Sequence, residues 1–198
     1  MKALVIATML LVSAMVFAQD AAKKPQEKPA AAPASPPTVS QVLDRQLSSL
    51  ERQLVPLVEA MPDDKFNFAP AGEGFAGVRT FAQQTGHIAA NNFFFASALT
   101  GEAPTRVKAD DRLNGPALKT KAEMLQYLKD SFAEAHRAVS QVNDKNLLEM
   151  VTFPFGDAKA SRLYVANVFT WHGFDHYGQM VEYLRMNNII PPASRTNN

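Results

Sequence analysis

The chain of 198 residues contains no cysteine. That excludes disulfide staples, cysteine-ligated zinc, a catalytic thiol of the chain's own and a cysteine-linked lipid anchor. An excess of charge is also missing. Twenty Lys plus Arg stand against 19 Asp plus Glu, a net charge of +1. No basic field draws the chain to nucleic acid, so none is expected as a partner. Beyond the extreme N-terminus no apolar run is long enough for a membrane span. Sustained alternation of apolar and polar residues is lacking too, which argues against a sheet. What remains is 46% hydrophobic and 20% charged, enough apolar residues for a real core.

The apolar run that does exist is MKALVIATMLLVSAMVFA, residues 1–18. Lys2 precedes an almost wholly apolar stretch, and Val16-Phe17-Ala18 carries small residues where a signal peptidase reads. A signal peptide cleaved after Ala18 is expected, and with it a periplasmic or secreted protein with no membrane span after processing. In residues 19–38, eleven of the twenty are Ala or Pro, and none is aromatic or a branched aliphatic. Such a composition cannot bury a core, so a disordered, semi-stiff linker is expected there. Residues 39–198 then form one domain.

In that domain the helical period recurs four times, over about 39–60, 78–100, 120–142 and 160–187. The first carries Leu43, Leu47, Leu50, Leu54 and Leu57 on one stripe. Ser40 is its candidate N-cap, and Pro56 is expected to kink its last turns or to mark a second short helix. The second is apolar on more than one face and should be well buried. In the third, Thr120 with Glu123 makes a capping box. Pro and Gly crowd the links at 61–77 and 101–119, whose length suggests overhand crossings. An all-α four-helix bundle follows.

The sharpest local feature is His172-Gly-Phe-Asp-His176. Histidines at i and i+4 share a helical face, and here that face continues through Val165, Val168, Met180 and Tyr183. Two readings stand: a pair of metal ligands, or core histidines with ordinary hydrogen bonds. No Glu occupies the position next to the first histidine that a zincin base would need. On the second helix His87 sits among Gln83, Gln84 and Asn91, which suits either a ligand held by polar neighbours or a wet face opposite the core. His136, between Glu134 and Arg137, is expected to face solvent and is left out.

The stretches VRTFAQQTGHIAANNFFF and WHGFDHYGQMVEYLRMNNIIPPASR together resemble the DinB-like (YfiT-like) metal-binding four-helix bundle family over about residues 40–195. The resemblance rests on Gly86-His87 and on His172…His176-Tyr177-Gly178-Gln179. It implies that His87, His172 and His176 bind one divalent metal ion, zinc or nickel. Some relatives are thiol-dependent transferases, so the resemblance also implies a small-molecule substrate or thiol at the metal. Alternatives are a non-catalytic metal or small-molecule binding module and a metal-dependent hydrolase. No catalytic residue is identified. Related bundles pair, so a homodimer is implied, with Met180, Tyr183 and Leu184 as its candidate face. Asp175 reads as a solvated charge or as support for a ligand, and Gln179 as support. Phe93, Phe94 and Phe95 read as core or as the wall of a pocket.

Overall fold

The computed structural model describes residues 35–196 except Thr105. The expected signal peptide and the linker up to residue 34 lie outside the described residues. Four long helices dominate: α1 (Val39–Ala60), α2 (Phe81–Thr100), α4 (Lys121–Val139) and α5 (Arg162–Met186). A single helical turn, α3 (Asp111–Asn114), interrupts the link between α2 and α4.

Helix starts are set by side-chain oxygens that take the free backbone N–H groups of the first turn. Thr38, Thr80 and Thr120 each close a reciprocal capping box, with Gln41, Gln83 and Glu123. Thr38 therefore caps α1, not Ser40, because Gln41 sits three residues on and bonds back to the Thr38 N–H. By the same logic α2 starts at Phe81, three residues later than its apolar pattern suggests. Ser161 caps α5 through the Tyr164 N–H. Pro56 lies within α1, whose helical assignment runs unbroken to Ala60, so no second short helix forms.

Of the consecutive long helices, only α2 and α4 are neighbours. α1 packs on α4 and α5, and α2 packs on the same two, most extensively on α4. Thus α1 lies diagonally across from α2, and α4 from α5. The link 61–80 crosses a diagonal, as its length suggests. The link 101–120 instead joins neighbours, and the second diagonal is crossed by 140–161.

That second crossing contains a feature the sequence reading did not expect, a small antiparallel hairpin. β1 (Met150–Thr152) pairs with β2 (Lys159–Ser161), Met150 opposite Ser161 and Thr152 opposite Lys159. Three residues per strand are too few to leave an alternation signal. The chain reverses around Gly156, whose φ of 112° suits glycine.

The core follows the helical stripes. Leu47, Leu50, Leu54 and Leu57 of α1 meet Phe81, Ile88 and Phe95 of α2, Leu128 and Phe132 of α4 and Phe169 of α5. Met180, Tyr183 and Leu184 are buried in this same core. They are therefore not the dimer face suggested from the sequence. His136 is also placed differently from expectation. Its two ring nitrogens face Asp44 (2.6 Å) and Glu51 (3.2 Å) on α1. The sequence around His136 shows only its own helix, not the acidic side of α1 packed beside it.

Candidate metal centre

Two helices supply the site: α2 carries His87, and α5 carries His172 and His176. Their ring centroids form a nearly equilateral triangle, with separations of 5.0, 4.7 and 4.7 Å. One ring nitrogen from each lies within 4.8 Å of the others. His87 Nε2 and His172 Nε2 are 3.1 Å apart. Two ligands about 2.0–2.1 Å from one zinc ion stand about 3.3 Å apart in a tetrahedral arrangement. The spacing already suits a shared ion. His176 is buried, and the other two are partly buried.

The outer nitrogens explain which way the inner ones point. His87 Nδ1 donates to the Arg112 carbonyl at 2.6 Å. A carbonyl only accepts, so the proton sits on Nδ1 and Nε2 carries the lone pair, with the Asn91 amide nitrogen 3.4 Å away. The same carbonyl takes an N–H from Asn91 (3.2 Å), which also bonds the His87 carbonyl at 2.7 Å. On the other side a chain of amides does the work. Asp175 accepts from Gln179 Nε2 at 3.2 Å, Gln179 Oε1 accepts from Gln84 Nε2 at 2.9 Å, and Gln84 Oε1 accepts from His176 Nδ1 at 2.5 Å. The carboxylate fixes the direction of every bond in this chain. His176 therefore also carries its proton on Nδ1, leaving Nε2 as a lone pair.

His172 differs. Its Nδ1 is buried and has no partner, and Phe95 meets the ring edge-on at 5.8 Å between centroids. Nε2 is its one polar contact. It can donate at most one N–H to the cluster, whereas His87 and His176 both present lone pairs. At least one inward lone pair thus has no donor within the triad, and a cation satisfies all three.

Protonation is disfavoured as well. Burial, followed by repulsion from neighbouring rings and Arg79, pushes His172 down to about 3. Burial, then Arg79 and His176, pushes His87 down to about 4. His176 is lowered by burial, with Asp175 opposing. All three rings are neutral at pH 7, the form that binds metal.

The geometry of α3 depends on two glycines. Gly115, at φ 76°, presses against Gly86 so closely that a Cβ on Gly86 would stand 2.9 Å from the Asn114 carbonyl oxygen. One on Gly115 would stand 2.4 Å from the Gly86 backbone. This approach lays α3 on α2 one residue before His87, which brings the Arg112 carbonyl to the ring. Arg79 ties the same segment down through a 2.6 Å bond from Nε to the Leu113 carbonyl.

Of the polar neighbours picked out by sequence, Gln84, Asn91 and Gln179 belong to the site, and Gln83 caps α2 instead. Asp175 is exposed, as a solvated charge would be, and still anchors the amide chain. Sequence reasoning missed Arg112, whose contribution is a backbone carbonyl and leaves no side-chain signature. Among the described residues no carboxylate joins the three rings. Asp63 lies near Lys121, and Asp111 accepts from the Lys108 N–H.

The comparisons with known proteins agree with this architecture. YjoA from Bacillus subtilis, a DinB-like protein, superposes with a TM-score of 0.58 at 16% identity, covering 79% of this chain and 99% of that one. YfiT from Bacillus subtilis, described as a probable metal-dependent hydrolase with an unusual four-helix bundle topology, gives a TM-score of 0.54 at 17% identity, covering 80% and 94%. No curated protein matches. The family model of the DinB superfamily matches residues 46–180, more than half of the chain. The chain belongs to the DinB superfamily.

Proposed function

We propose that this protein is exported, that residues 39–198 form its functional domain, and that His87, His172 and His176 hold one divalent ion, zinc or nickel. The observation that carries this reading is the convergence of three imidazole nitrogens with too few protons among them. Three protein ligands leave a position for a small molecule, whereas closed structural sites fill four. A divalent ion bound there lowers the pKa of a bound water or thiol towards neutrality.

A small thiol is the preferred co-substrate. No carboxylate of the described residues stands at the cluster to take a proton, and a thiol needs that help less than water does. The protein's part is then to keep the three rings neutral and oriented, through Arg112, Gln84 and Asn91, and to exclude water on the Phe95 side. Hydrolysis is the second reading. It draws on the likeness of fold to YfiT and on the same open position.

The test offers the zinc- or nickel-loaded protein a low-molecular-weight thiol and a chloronitroaromatic electrophile. A C–S bond forms, chloride leaves and the thiol proton goes to solvent. Ester hydrolysis is assayed in parallel. Turnover of either substrate that is lost in His172→Ala supports the reading. Equal rates in His172→Ala would contradict it. Stoichiometric metal without either turnover would make the protein a non-catalytic binding module.

A further inference from the structure

Beside the cluster lies a cavity of about 440 Å³, between α3 and the hairpin connection. Phe94, Pro154, Phe155 and Leu113 give it apolar walls, and Arg112 and Asp110 bring charge to it. Two links join it to the metal centre. Phe155 packs edge-on against Phe95 (5.5 Å), which packs against the His172 ring. Arg112 lines the cavity and also presents its carbonyl to His87.

The Arg112 guanidinium lies over the Phe155 ring at 5.1 Å. Among the described residues it has no carboxylate within ion-pair distance, although Asp110 shares the cavity. Stacking holds the cation in place by its face and leaves the N–H edge, with its fork geometry, available to an anion. The walls match a flat apolar body. We infer that this cavity binds an aromatic or similarly planar molecule bearing a carboxylate, which Arg112 recognises. That the bound acid is a substrate rests on the proposed metal reading; that it binds here does not.

The test measures 2-naphthoate binding to the full chain by calorimetry, with and without metal, against the neutral isostere 2-naphthylmethanol. Arg112→Gln keeps the backbone carbonyl. It is expected to weaken naphthoate about tenfold or more, the scale of a lost charge-assisted hydrogen bond, and to leave naphthylmethanol unchanged. Phe155→Ala should weaken both probes. Asp110→Asn should strengthen naphthoate, because it removes a like charge from the cavity. Circular dichroism checks that each variant is folded.

Unchanged naphthoate affinity in Arg112→Gln would overturn the inference. So would naphthoate binding that needs metal and vanishes in His172→Ala while surviving Arg112→Gln, since the carboxylate would then sit on the ion. That second outcome would leave the metal reading intact. Discrimination by Arg112 in a protein that takes up no metal would do the reverse.

Discussion

At the residue scale the account turns on proton placement. Gln84 sits between the Asp175–Gln179 pair and His176, so its side-chain oxygen decides which nitrogen of His176 carries the proton. Gln84→Leu removes the acceptor and strands a buried N–H. Metal affinity should fall about 10–100-fold, as for other residues that orient a ligand. Gln84→Glu keeps an acceptor at the same place and should bind metal at least as well as the native chain. Competition against a chromophoric chelator measures both. His172 and His176 stood out in the sequence because imidazole spacing on a helix is a side-chain signal, and His87 because of the polar strip around it and the family resemblance. Their partners were legible only in part. Gln84 and Asn91 stood out as amides on an apolar helix, but the Arg112 carbonyl belongs to a residue whose side chain does something else.

At the scale of elements, the helices were readable because caps and 3.6-residue stripes are local. Thr120 illustrates this: its capping box with Glu123 is written in four residues and is present. Thr120→Ala should cost about 1 kcal/mol in urea unfolding. Contacts between elements left fainter marks. Gly86 looks like one more residue of an apolar helix, and Gly115 like loop punctuation before Pro116. Together they are the contact that lays α3 on α2. Gly86→Ala must push a backbone carbonyl away, so it should destabilise the fold by about 1–3 kcal/mol. Because α3 carries the Arg112 carbonyl, the same change should weaken metal binding. A destabilised protein with unaltered metal affinity would detach α3 from the site. The diagonal placement of α1 and α2 had no signature beyond the length of their link, and the hairpin strands were too short to declare themselves.

At the scale of the described domain, the histidine cluster is a weak point of the metal-free fold. Folding holds His87 and His172 at about 4 and about 3, below the ordinary histidine value near 6.5. Between those values the unfolded chain binds more protons than the folded one. Stability is therefore fully present above about pH 6.5 and is lost as pH falls through the window towards 4 and 3. Urea midpoints of the metal-free protein should drop between pH 7 and pH 5. Saturating metal should raise the midpoint at pH 7 and lose that effect on acidification, because protons and metal compete for the same lone pairs. A midpoint independent of both pH and metal would mean that the three rings make no shared site.

Metal content tests the central claim most directly. The full chain, purified without a histidine tag or chelating column, is measured by elemental analysis beside a variant with His87, His172 and His176 all changed to Ala. The account predicts close to one equivalent of zinc or nickel in the native chain and none in the variant, with helical content preserved. A folded native chain that holds no metal after reloading and dialysis, or a variant that retains it, would contradict the account.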